Sequence, residues 1–315
     1  MLKYFILLFL ISNLSLAKEI KPFASFISAG FINDFVIEHN CLYVANDAGS
    51  IDTFNIQTQK IINQIILPPL VSSKGKIISA DILSIDYLNG KLLILSIGNN
   101  GYRNLWIYKN NELKQIINED KKLTIKKARF INDEQIIFGT LDSDLILYDI
   151  GENYNLYHTH ISDSAMGDMT LSQDKSTMVL ADESGKVSLI NIKNSNTLQE
   201  YQSQNVDNIF KVAYANGVIL TAGQDRRVGV YPKNKKPYYI KSNFLVFCVG
   251  LSPDGSTGIY SSGEESDLQI FTISTKQNKA RLTGHTGVVN KIFFRNENEV
   301  FSSDRSNTLL MWKLY

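Results

Sequence analysis

The sequence predicts an all-β fold, a single seven-bladed β-propeller, and three observations predict it. A short apolar block ending in a polar turn recurs seven times at a nearly constant spacing. Two further strand-like segments, separated by turn signals, precede each block. The last unit lacks a final strand, while the N-terminal segment holds one with no partner.

The recurring blocks read SIDTFNI, NLWIYKN, LILYDI, VSLINI, VGVYPK, LQIFTI and LLMWKL. Equivalent positions within them are Phe54, Tyr108, Tyr148, Ile190, Tyr231, Phe271 and Trp312, with successive steps of 54, 40, 42, 41, 40 and 41 residues. A repeat of about 40–45 residues carrying several short strands is the signature of a propeller blade. The one long step contains Pro68-Pro69 and Ser72-Ser73-Lys74-Gly75. Prolines and small polar residues there predict a loop insertion of about a dozen residues, not a second domain.

Upstream in each unit runs a strand of the pattern apolar-x-x-apolar-x-apolar. It reads Ile32, Phe35, Ile37 in the first unit and Ile82, Ile85, Tyr87 in the second. The same pattern continues to Val289, Ile292, Phe294 in the seventh. Turns such as Asn89-Gly90, Asn216-Gly217 and Pro253-Asp254-Gly255 follow, and then a second strand. Each unit is thus a four-stranded sheet with two apolar faces, and only stacking around an axis covers both. The seventh unit stops at Tyr315 with three strands. Residues 18–30, with Phe23, Phe26 and Ile27, are expected to supply the fourth and so to close the ring and hide a sheet edge.

Before this fold stands a leader. Met1-Leu2-Lys3 is a short positive start, Tyr4–Leu14 is almost wholly apolar, and Ser15-Leu16-Ala17 offers small residues for cleavage. Residues 1–17 are expected to be a cleaved secretory signal, too short for a stable membrane anchor. Residues 18–315 then form one periplasmic domain, expected to be monomeric and not membrane-embedded. Lys18 follows the cut where a lipid anchor would need cysteine. The formal charge of +1 falls to zero when Lys3 leaves, which argues against a nucleic-acid partner. Cys41 and Cys248 fall on non-adjacent blades and are expected to be two buried free thiols.

The last unit carries Leu282-Thr283-Gly284-His285, then Ser302-Ser303-Asp304, then Trp312-Lys313. These residues resemble the WD-repeat family, whose units carry Gly-His and Trp-Asp marks. Thr221-Ala222-Gly223-Gln224-Asp225 in the fifth unit resembles the family's turn. The resemblance implies a hydrogen-bonded chain of His, Ser, Asp and Trp inside the blade. The matching positions are His285, Ser302 or Ser303 (with Ser303 favoured), Asp304 and Trp312. The signal, length, seven degenerate units and Lys/Asn/Ile-rich composition also resemble NapL-type accessory proteins of bacterial periplasmic nitrate reductase systems. That likeness implies a non-catalytic role, with a component of the nitrate reductase system as protein partner.

Two residues after the first apolar position of each innermost strand stand Asp34, Ser84, Lys127, Asp168, Lys211, Cys248 and Lys291. Six of these seven are polar within apolar strands. In a propeller they converge on the central channel, as a ligand or partner site or as a self-paired lining. His158-Thr159-His160 places two imidazoles on one strand face, and the sequence offers no third ligand to make a metal site. The runs Lys121, Lys122, Lys126, Lys127, Arg129 and Arg226, Arg227, Lys233, Lys235, Lys236 are expected at solvated turns, with docking of an acidic partner as the alternative. No serine-nucleophile elbow, haem-attachment motif or phosphate loop is present.

The expectation is therefore a binding protein with no catalytic, cofactor or metal residues. The rival is a propeller enzyme, such as a quinoprotein-like dehydrogenase or lactonase. It would need carboxylates or histidines converging at one mouth, where the column offers only Asp34 and Asp168.

Overall fold

Six units of the repeat each supply four antiparallel strands of one sheet, and the seventh supplies three, in the computed structural model, which describes residues 18–72 and 74–315. The leader lies outside the described residues. Blade 1 comprises Ile32–Glu38, Cys41–Asn46, Ser50–Asn55 and Lys60–Ile66, in that order from the axis outward. The innermost strands of blades 2 to 7 are Ile82–Leu88, Ile125–Phe130, Met166–Leu171, Ile209–Ala215, Val249–Leu251 and Val289–Phe294. Between blades 1 and 2, Leu70–Val71 and Ile77–Ile78 pair as a small hairpin, so the long step is a surface insertion. Among the described residues no helix is long and apolar enough to cross a membrane.

The core is divided rather than central. Among the described residues there are seven hydrophobic clusters, and each is shared by two neighbouring blades. Leu220, Val228 and Val230 of blade 5, for example, pack on Val249, Tyr260 and Phe271 of blade 6. At about 25 cal/mol per Å² of apolar area removed from water, these interfaces supply most of the stability.

The ring closes as the sequence predicts, and then goes one step further. Ala24–Ile27 pairs antiparallel with Thr308–Met311 as the outer strand of blade 7. Phe26 is buried between Phe54 of blade 1 (ring centroids 5.5 Å apart) and Phe301 of blade 7 (6.3 Å). Phe23 and Ile27 alternate to the outside and are exposed. Upstream, Lys18–Ile20 adds a fifth strand to blade 6, parallel to Ala280–Leu282. One ten-residue stretch thus joins the edges of two blades, a feature the repeat spacing does not encode.

Both cysteines are free and stand on blades 1 and 6, which blade 7 separates. Cys248 is buried as expected. Cys41 is only partly so, because it opens a strand beside the exposed turn at His39-Asn40.

The alternation of Phe26 and Ile27 yields a direct test. Phe26→Ala is expected to lower unfolding free energy by about 3–5 kcal/mol. Ile27→Ala, on the outer face, is expected to change it by less than about 0.5 kcal/mol. Urea denaturation midpoints of the purified chain distinguish the two.

Candidate functional site: the central channel

The odd spacing of the innermost strands has a structural cause. In six blades the register against the second strand slips once, between Ile32 and Asp34, Ile82 and Ser84, Ile125 and Lys127, Met166 and Asp168, Ile209 and Lys211, and Val289 and Lys291. Each slip is a β-bulge, with one extra residue that rotates the following side chains. The strand of blade 6 starts later. There the Ser261 hydroxyl oxygen accepts from the N–H of Phe247 (2.9 Å) and of Cys248 (3.2 Å) in place of the ladder.

The residue after each bulge is the polar column, and all seven members line one cavity of about 590 Å³ on the axis. Their side chains bind across blades. Lys291 of blade 7 donates to Asp34 of blade 1 (2.5 Å) and to the Phe35 carbonyl (2.5 Å). The second Asp34 oxygen accepts the Ile85 N–H of blade 2 at 3.0 Å. Arg129 of blade 3 donates to Ser84 of blade 2 (2.8 Å) and stands 3.7 Å from Asp34. Lys127 donates to Asp168 of blade 4 at 2.7 Å, and Asp168 accepts the Val212 N–H of blade 5 at 3.1 Å. Innermost strands expose unpaired backbone groups along the channel, and these side chains satisfy them.

The extra residue at the bulge does similar work. Asn33 and Asn290 donate to the carbonyls of Ile82 (3.0 Å) and Ile32 (2.6 Å) on the next blade, and Lys126 donates to that of Met166. In blade 4 the position is Gly167. A Cβ there would stand 1.8 Å from the Ile209 carbonyl oxygen, so only glycine lets blade 5 approach. In blades 5 and 6 the position is aromatic, and Phe210 stacks on Phe247 with centroids 5.5 Å apart.

Burial alone would raise the carboxyl of Asp34, but Lys291 and Arg129 outweigh it and hold the group well below the usual carboxylate range. Desolvation works on Lys127 in the opposite sense and brings its ammonium down to about 8, although Asp168 pulls it back up. Asp86, which accepts the Phe130 N–H at 2.8 Å, is raised by desolvation despite Arg129 nearby.

Asp86 was not singled out in the sequence, and Arg129 was placed there only at a solvated turn, yet each stands two residues beyond a column member and so shares its strand face. Lys126, Asn33 and Asn290 had no such signal, because the bulge breaks the alternation. Lys126, Lys127 and Arg129 lie on the innermost strand Ile125–Phe130 and not in a turn, which corrects that expectation. Lys233, Lys235 and Lys236 do sit in a turn, between Tyr231 and Tyr238.

Blade 7 contains the expected hydrogen-bonded chain with one correction: its serine is Ser302. Trp312 Nε1 donates to Ser302 Oγ at 2.7 Å, and that hydroxyl meets His285 Nε2 at 2.7 Å. His285 Nδ1 meets Asp304 at 3.1 Å, and the carboxylate requires the proton on that nitrogen. Asp304 also accepts the N–H groups of Thr286 and Gly287, each at 3.0 Å. Ser303 points to the other face of its strand and donates to Asn290 at 2.6 Å. Blade 5 replaces this chain with Asn205, which accepts from Thr221 (2.5 Å) and donates to Asp225 (3.0 Å).

His158 and His160 do share a strand face, and both turn to Asp144 on the neighbouring strand, at 2.7 and 2.8 Å. Among the described residues no group of three or more His, Cys, Asp or Glu is placed to hold a metal ion.

No protein-family model matches the chain, and no curated protein sequence matches it. Among solved structures it is similar to the β-propeller domain of Cps50 (Swd1) from Myceliophteria thermophila. The TM-score is 0.73 at 10% identity, over 93% of this chain and 99% of that one. A likeness at that identity concerns the fold.

Two outcomes are expected at these sites. Lys291→Met leaves Asp34 buried without its main partner and is expected to cost about 3 kcal/mol, with Asp34→Asn in the same chain restoring part of the loss. In Asp304 burial raises the carboxyl, but hydrogen bonds from His285 and Ser306 more than offset this and leave it well below its ordinary value. A carboxyl depressed in the fold stabilises above its unfolded pKa of about 3.9 and loses that stabilisation as pH falls below it. Asp34 and Asp304 both act in this sense. Urea titrations at pH 7 and pH 3 are expected to show a smaller acid-induced loss in Asp304→Asn than in the native chain.

Proposed function

We propose that this chain is a non-catalytic docking platform of the periplasm, exported by its leader, with a component of the periplasmic nitrate reductase system as its protein partner. The closed seven-bladed disc supports the general reading, because a rigid ring presents two faces of loops at fixed positions. The finer assignment rests on the sequence likeness to NapL-type accessory proteins.

One observation singles out a face. Strand directions alternate, so the connections entering each blade and the turns between second and third strands emerge together. Phe31, Val71, Ile77, Ile78, Leu141 and Val206 all lie in these connections, and all are exposed. The inner turns of the other face include Asn89-Gly90, Asn132–Glu134, Asn216-Gly217 and Asp254-Gly255, which offer polar groups. Exposed apolar side chains gathered on one face mark a protein-contact surface more often than a bare one.

The channel mouth supports the same reading. Its carboxylates are bound to lysines, arginine and backbone N–H groups, an arrangement suited to joining blades. The tagged chain is expected to capture a nitrate reductase component from periplasm of nitrate-grown cells. Phe31→Ser with Ile77→Ser is expected to weaken capture at least tenfold with little change in urea midpoint. A stoichiometric metal or chromophore in the purified protein would overturn the non-catalytic reading, and repeated capture of no such component would remove the nitrate assignment.

A further inference from the structure

The cross-blade ring of column side chains is incomplete. It runs from Lys291 of blade 7 to Asp34 of blade 1, through Ser84 and Arg129 of blades 2 and 3, and from Lys127 to Asp168 and the Val212 N–H of blade 5. There it stops. Lys211 of blade 5 lines the channel, and among the described residues its ammonium has no hydrogen bond or ion pair to the protein. The next column member is Cys248, whose thiol meets the Val249 carbonyl at 3.8 Å and faces the Ile292 N–H of blade 7, and so offers no charge to Lys211. Beyond it is Lys291 again. The gap is therefore a neutral thiol flanked by two lysines.

The charges of the cavity lean the same way. Its lining carries Lys126, Lys127, Arg129, Lys211 and Lys291 against Asp34, Asp86 and Asp168, with Glu38 at the rim. Glu38 meets His39 there at 2.9 Å. Among the described residues these five cations outnumber the four carboxylates, Glu38 included, and Lys211 is the one whose ammonium makes no hydrogen bond or ion pair. An ammonium withdrawn from bulk water into a walled cavity attracts a counter-charge more strongly than one on an open surface.

We infer that the channel binds a small oxyanion, which completes the ring at the gap between Lys211 and Lys291 over Cys248. Lys211 is the principal contact, and its long stem reaches a ligand in the lumen. Two further features suit this role. Desolvation works to lower the Lys211 ammonium, but Asp168 is the largest opposing influence and the ammonium is raised, so it keeps its charge. Burial pushes the Cys248 thiol up to about 11, so it stays neutral and does not repel an anion. The chemistry is that of an inorganic oxyanion or a small carboxylate. It is independent of the protein partner proposed above.

The test uses the purified chain alone, in a bulky sulfonate buffer at fixed ionic strength. Nitrate, sulfate and succinate are titrated separately by calorimetry, and thermal midpoints are recorded in parallel. At least one anion is expected to bind saturably with a rise in midpoint, and the strongest identifies the source as inorganic or carboxylate. Lys211→Met is expected to weaken that binding tenfold or more, while Lys235→Met, in a surface turn, leaves it unchanged. Without added anion, Lys211→Met is expected to lower the midpoint clearly less than Lys291→Met does, because Lys211 makes no direct hydrogen bond or ion pair to lose. Flat titrations for all three anions would overturn the site, as would equal binding by Lys211→Met. A fall in its anion-free midpoint like that of Lys291→Met would make Lys211 a structural counter-ion of Asp168 and overturn it as well.

Discussion

Each blade is a sheet with two apolar faces, and neither face can be left in water. That constraint sets the rest of the structure. Seven such sheets satisfy it only by enclosing an axis, so the hydrophobic core is seven separate clusters, each between two blades. A ring that relies on neighbours has no stable partial form: opening one interface exposes two faces at once. The chain therefore closes the ring with its own N-terminal segment, which covers the edges of blades 6 and 7 within ten residues.

Packing the blades this closely brings their innermost strands edge to edge around the axis, where backbone groups lack ladder partners. The bulge resolves the conflict. It adds one residue to six of the seven innermost strands and, at Asp34, Asp168 and Lys291, turns a polar side chain toward the next blade, where it satisfies an N–H or a carbonyl. The channel is therefore first a seam between blades, and the ion pairs of Asp34 and Asp168 belong to that seam. Lys211 is the exception within it, and the exception is what gives the channel chemistry beyond structure.

The WD-type chain of blade 7 shows how far the same geometry tolerates other residues. His285, Ser302, Asp304 and Trp312 tie the incoming loop to the sheet in one blade. Asn205, Thr221 and Asp225 do so in another, and in blade 4 Ser162 donates to Asp182 at 2.6 Å. Each device satisfies buried polar groups at the same corner with different side chains. A fold kept by apolar faces permits this variety, and it explains why the sequence marks are sparse while the architecture is regular.

The sequence by itself determined the blade count, the strand order within a blade and the closing strand, because these follow from the spacing of apolar residues along the chain. It also held the channel column, since the apolar-x-x-apolar step is the bulge written in residues. Tertiary structure decided which of those polar groups meet. Nothing local distinguishes Lys127, paired with Asp168, from Lys211, left open, because pairing depends on the residue that an adjacent blade brings across the channel. The same holds for Ser302 over Ser303, which are consecutive and chemically alike and differ only in which sheet face each one points to. The parallel strand Lys18–Ile20 likewise depends on where blade 6 ends in space, which no spacing along the chain records.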